Sequence, residues 1–262
     1  MFETLGASVA LMRAHPVELL APYAIVQALI VLEQLIVWGL TLNGEGLSLG
    51  TDLLHSTAVS LIGTLGWAAV IVAAGALASG VRPGLGSMFA PVLRRLLPLL
   101  AFFVLDFIIL ILAALPICVT AGVAAAAGAE GWLTAVLALV IGLPPFLYVM
   151  TRLALALQTF ILDEAGPVEA IGESWSMASG HMPRLLGVML LALVAVAGIQ
   201  VGISFALGPA PDALRIILMG LIGIPVAVFG AVALTMFYLR IRETSPVREA
   251  GPRLEPAHGS GW

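Results

Sequence analysis

GSMFAPVLRRLLPLLAFFVLDFIILILAALPICV, residues 86–119, carries two kinds of helix in one run. Its opening sets Met88, Phe89, Val92 and Leu93 at helical spacing beside Arg94 and Arg95, the pattern of a helix lying in a membrane interface. From Leu97 through Val119 the chain is apolar but for Asp106, enough to cross a hydrocarbon core that needs about 20 residues of helix. A surface helix therefore feeds a span. The opening motif recurs as GASVALMRAHPVELL from Gly6 and as GESWSMASGHMPRLL from Gly172. Each copy has a small residue or Ser near its start and a closing Leu-Leu pair, and His15, Arg95 and His181 share one position within it. A long apolar run follows each copy. The repeating unit is an amphipathic helix that introduces a membrane hairpin, three times over.

Composition agrees, because 61% of residues are hydrophobic, 10% are charged and the mean hydropathy is +1.13. A water-soluble domain of 262 residues could not cover its surface with so few charges. Six runs have spanning length: Leu19–Leu40, Thr57–Ala78, Leu97–Val119, Leu133–Leu157, Leu185–Leu207 and Ile216–Tyr238. The fold class expected is an all-α integral membrane protein of six transmembrane helices in three hairpins, each preceded by an amphipathic helix on the cytoplasmic side. One membrane domain covers residues 1–241, with repeats over about 1–80, 81–166 and 167–241. The remainder, 242–262, is rich in Pro, Gly and charge and reads as a disordered cytoplasmic tail.

All 11 basic residues are Arg. Arg13, Arg82, Arg94, Arg95, Arg184, Arg240 and Arg242 flank one set of span ends, while the loops at the other ends carry Glu45, Asp52 and Glu130 and no Arg. The positive-inside rule then places both termini in the cytoplasm. Arg215, beside Asp212, is the one exception. The expected setting is a prokaryotic cytoplasmic membrane, the expected partners are membrane lipids and a membrane protein, and neither nucleic acid nor a cofactor is expected. Met1–Arg13 has an acidic residue and no basic leading region, so it reads as the first interfacial helix and not as a cleaved signal. Cys118, the single cysteine, reads as a buried thiol.

The segment YVMTRLALALQTFILDEAGPVEAIGESWSMASGHMPRLLGVMLL, Tyr148–Leu191, resembles the signature region of six-helix bacterial and archaeal membrane proteins related to the membrane domain of glycerophosphoryl diester phosphodiesterases. In that pattern an Arg in the fourth span leads to an acidic residue at the inner surface, a helix bearing Ser-Trp, a Gly and the next span. Arg152, Glu164, Ser174, Trp175 and Gly180 hold those places. The resemblance implies a fold and a membrane location. Phosphodiesterase chemistry in fused relatives belongs to a separate soluble domain, for which this chain has no room, so no enzyme activity is carried over. From the residues alone, Pro167 suits a first helical turn, Glu169 and Glu173 stand one turn apart, and Gly180 suits a helix end. Ile171, Trp175 and Ala178 are expected to face the leaflet.

Ionisable groups inside spans are costly and face a bundle interior, which singles out Asp106 and Arg152. Counted along straight helices, both lie about 13–15 Å from the inner boundary, so an Asp106–Arg152 ion pair is expected. Two readings stand: a structural clasp, or part of a polar cavity for a headgroup or proton. Glu33 and Gln34 in the first span, and Gln200 in the fifth, add polar groups in the outer half; Gln34 and Gln200 occupy equivalent repeat positions and can hydrogen-bond across helices. Pro116, Pro144, Pro145 and Pro225 break helices in the same interior. Scattered His residues and the absence of a paired-carboxylate or metal-ligand motif leave no catalytic or metal site to name. Two functions remain: a non-enzymatic membrane module that associates with lipid or assembles with a partner, and a small permease or lipid-handling transporter built on Asp106, Arg152 and Glu33.

Overall fold

The computed structural model describes residues 2–41, 49–206 and 211–244, and every regular element among them is helical. α1 (Phe2–Ala14) leads into α2 (Pro16–Thr41), which is followed by α3 (Leu49–Ala78), α4 (Leu85–Arg94) and α5 (Leu96–Ala126). α6 (Gly131–Leu137) passes through a π-helical turn, Ala138–Gly142, into α7 (Leu143–Leu153) and α8 (Ala156–Leu162). α9 (Pro167–Ser179), α10 (Met182–Ala206) and α11 (Asp212–Thr244) complete the chain. Five stretches are long and apolar enough to cross a membrane: Pro16–Gly39, His55–Ala78, Leu96–Ala126, Gly131–Leu162 and Asp212–Thr244. The remaining expected span falls on α10, whose described apolar stretch, Met182–Leu191, is shorter than a span. α11 continues past residue 241, the expected end of the membrane domain, to Thr244; the rest of the expected tail, residues 245–262, lies outside the described residues.

α2, α3 and α11 pack against one another as one group, and α5 packs on the π-turn and α7 as another. Small side chains make the first group tight. Ala69, Val70, Ala73 and Ala74 of α3 are fully buried against Leu19 of α2 and Val228, Ala231 and Val232 of α11. With lipid no less apolar than the helix surfaces, such packing relies on close backbone approach and dispersion. The other contact depends on one glycine: a Cβ at Gly142 would stand 2.6 Å from the Cα and 2.8 Å from the backbone nitrogen of Ile117 on α5. Backbone cannot swing aside as a side chain can. Gly142→Ala should therefore cost about 1–3 kcal/mol through overpacking, seen as a lower thermal midpoint in detergent. Val104, Phe107, Ile108, Ile111 and Leu112 of α5 are exposed, as are Leu29, Leu32 and Ile36 of α2, and together they give the bundle an apolar outer wall suited to lipid. Cys118 is on that wall and exposed, contrary to the expected burial.

In the short helices α1, α4 and α9, Val9, Leu93 and Trp175 of the expected lipid-facing sets are exposed, whereas Met88, Val92 and Ala178 are buried. Thr4 and Ser8 are the buried residues of α1, Met88 and Val92 those of α4, and Ala170, Ser174 and Ala178 those of α9. In α9 this turns the packed face toward Ala170, Ser174 and Ala178, leaving Trp175 exposed, because small residues let the helix wedge against α7 and α8. Equivalent positions of the three copies share burial: Ser8, Met88 and Ser174 are all interior. Gly198 and Gly202 on α10 meet nothing within 4 Å, so they do not serve the intrachain packing that their spacing suggests.

Candidate functional site

The fourth span bends twice. Pro144 and Pro145 open α7 directly after the π-turn, as their missing donors favour. The second break, at Ala154–Leu155, has no Pro or Gly and is held instead by α9. Ser174 donates to the Arg152 carbonyl at 2.7 Å and accepts from the Leu155 N–H at 3.2 Å. One hydroxyl thus satisfies the acceptor and donor freed where α7 stops and α8 starts, groups that would otherwise be orphaned in a dry core.

This break changes the fate of Arg152. Its guanidinium does not reach Asp106 and the expected ion pair is absent. Arg152 donates to the Trp175 carbonyl at 2.7 Å and to the Tyr148 hydroxyl at 2.9 Å, and it also bonds Ser179. It stacks 5.1 Å from the Tyr148 ring centre and 5.3 Å from that of Trp175, while the two rings meet edge to face at 5.9 Å. The expected pair assumed an unbroken helix; instead α9 captures the Arg152 guanidinium, whose charge is met by a carbonyl dipole, hydroxyls and aromatic faces.

The α8–α9 turn is a second hub, invisible in the sequence because its acceptors are largely backbone. Arg95 donates to the carbonyls of Phe160 and Ala165, each at 2.7 Å, and its guanidinium lies 4.5 Å from the Phe160 ring centre. Asp163 accepts from the Tyr238 hydroxyl and pairs with Arg242, tying the same turn to α11. Glu164 occupies the left-handed region with φ 54° and an exposed side chain. Glu169 caps α9 by accepting from the Gly166 N–H at 3.2 Å. Partial burial, then the nearby charges of Asp163 and Glu169, raise the Glu173 carboxyl above its ordinary range. Gly180 follows the last turn of α9, as expected.

Asp106 faces a separate feature, a cavity of about 480 Å³ where α3, α5, α7, α10 and α11 meet. Trp67, Phe146, Met150, Val188 and Leu193 are among its walls, and among the described residues Asp106 is the one ionisable group lining it. The volume is that of a small-molecule site, about 300–1,000 Å³. Its surface is overwhelmingly hydrocarbon, and Arg152 takes no part in it.

At the end of α2 away from α1, Glu33 has a partner that the sequence did not reveal: His55 Nδ1 lies 2.5 Å from its Oε1, joining α2 to α3 across 22 residues. Gln34 is half-buried on α2. The Gln200 side chain lies outside the described residues, and with it the expected Gln34–Gln200 bond; α2 packs mainly on α3 and α11, whereas α10 packs on α11 and α7. Among the described residues no group of three His, Cys, Asp or Glu could hold a metal ion. Comparison with protein-family models, with curated proteins and with solved structures finds no match.

Proposed function

We propose that this chain is a non-enzymatic, lipid-associated membrane module of six spans, set in a prokaryotic cytoplasmic membrane with both termini on the cytoplasmic side. The observation that carries the reading is the apolar cavity from which Arg152 is turned away. A chamber walled by Trp, Phe, Met, Leu and Val side chains favours an acyl chain over a polar solute. The distribution of Arg supports the orientation, and α10, at 25 residues, is long enough to serve as the remaining span. The resemblance of Tyr148–Leu191 to the phosphodiesterase-related membrane domains points the same way and brings no catalytic group with it.

The test is lipid retention. Native mass spectrometry of the purified protein should show bound phospholipid that survives detergent exchange, and Ala227→Trp, which fills the cavity, should remove it while the protein stays folded. Equal retention by both proteins would contradict the reading.

The second reading, a small permease or lipid-handling transporter, is favoured by one observation: Asp106 projects into the cavity beside α7, whose start is broken by Pro144 and Pro145. The two readings separate on Asp106→Leu. Because Asp106 has no ion pair, removing it leaves no orphaned charge, and the module should be unchanged or more stable in a thermal-melt assay. A transporter would lose its flux.

A further inference from the structure

A second cavity opens at the Arg-rich end, about 490 Å³, bounded by α1, α10 and α11. Its walls differ in kind from those of the mid-bundle chamber: Arg184, Arg240, His181, Thr4 and Thr244 contribute polar atoms, with Phe237 and Ile241 as an apolar floor. Among the described residues Glu3 is the one acidic group at the site, and it is already engaged, accepting from Arg240 at 2.6 Å. That hydrogen bond and the Arg240 charge hold its carboxyl below the ordinary range. Arg184 makes no side-chain hydrogen bond or ion pair with a described residue and stands exposed at the first turn of α10. Thr4 accepts from Arg240 at 3.5 Å and keeps its own proton for another acceptor. His181 donates from Nδ1 to the Met177 carbonyl at 3.2 Å and packs its ring edge-on to Phe237, which fixes Nε2 as the free nitrogen. Two helix N-termini, those of α1 and α10, add positive dipole ends at the same place.

From this arrangement we infer that the cavity is a phosphate site for an anionic phospholipid, with Arg184 and Arg240 as its cationic ligands and Thr4 as a hydroxyl donor. The inference rests on the lipid-associated reading. Height in the membrane supports a lipid as the source of the phosphate, since the site lies where α10 begins and α11 ends, the level of headgroups. The seam between those helices supports it further. On α11, Thr244, Arg240, Phe237, Ala233 and Gly230 follow one another by three or four residues along one face, and so do Arg184 and Val188 on α10, with His181 just before its start; both rows run from this polar cavity to the apolar one. Arg184 and Val188 are about 6 Å apart along the axis. One lipid can thus set its phosphate between the arginines and a chain along the same seam. Basic pockets between spans at a membrane surface recognise anionic headgroups by this chemistry.

The experiment uses the full-length protein, delipidated in detergent and titrated in a thermal-melt assay with three probes: phosphatidylglycerol, a galactosyl diacylglycerol with the same chains and no phosphate, and inorganic phosphate. Phosphatidylglycerol should stabilise most. Arg184→Gln, an exposed position whose change should leave the unliganded midpoint untouched, should weaken that response at least about tenfold, the loss of one charge-assisted contact. Arg184→Lys should retain part of it. Equal responses to the two lipids, or an undiminished response in Arg184→Gln, would overturn the site while leaving lipid association standing. Inorganic phosphate stabilising as well as the lipid would overturn the lipid source. No response to any lipid would remove the lipid-associated reading itself.

Discussion

Arg95→Met should lower the thermal midpoint of the purified protein more than any other single change to an arginine at the Arg-rich end. The guanidinium spans two backbone carbonyls, Phe160 and Ala165, at 2.7 Å each, on either side of the α8–α9 turn. Each charge-assisted bond contributes about 1.5–3 kcal/mol, and methionine leaves both carbonyls without a donor. Contact with the Phe160 ring is lost as well. Arg95→Lys should recover only part of the loss, because an ammonium lacks the planar fork that reaches two acceptors together. The adjacent Arg94→Met is the control: Arg94 is exposed and makes no side-chain hydrogen bond with a described residue, so its loss should leave the midpoint nearly unchanged. Similar melting of the two variants would show that the α8–α9 turn does not depend on this clamp.

Ser174→Ala should rank next. The hydroxyl is fully buried and serves two backbone groups at once, so alanine strands the Arg152 carbonyl and the Leu155 N–H in an apolar core. Each orphaned group costs about 1–3 kcal/mol. The effect should appear as a lower midpoint together with faster proteolysis between α7 and α9. Ser174→Thr keeps the hydroxyl but adds a methyl group at a position with no exposed surface, so it should fall between serine and alanine. If alanine melts like the parent protein, water or a shifted backbone is satisfying those groups and the stitch is not what holds the break.

Five long apolar helices were legible because their runs of hydrophobic residues exceed the length a hydrocarbon core needs, and short helices stand where the repeat predicted them, at α1, α4 and α9. What the sequence could not supply was the bend after Leu153. TRLALALQTF contains no Pro and no Gly, and the helix yields there because Ser174, on another element, takes up the freed backbone groups. The expected pair with Asp106 does not form because Arg152 is held instead by α9 and Tyr148. Arg95 was recognised as a shared repeat position, yet its role was hidden because its hydrogen-bond partners are main-chain carbonyls, which every residue carries. The Glu33–His55 pair was hidden for a different reason, its two members lying on different helices and 22 residues apart. Gly180 ends α9 as its type suggests, since helix ends are set locally.

Whether the central cavity is a dry, hydrocarbon-filled chamber or a solute path is the point on which the account turns. Met150 lines the cavity and can be replaced by cysteine in a Cys118→Ser background, with Glu243→Cys, at the exposed end of α11, as an accessible control. A charged methanethiosulfonate reagent reacts with a hydrated thiolate and not with a thiol buried among apolar groups. Applied to each side of sealed membranes in turn, the reagent should label Glu243→Cys from one side only and leave Met150→Cys unlabelled from both until the protein is unfolded in detergent. Rapid labelling of Met150→Cys in the folded protein from either side would mean that water fills the cavity, and would contradict the lipid-associated account in favour of transport.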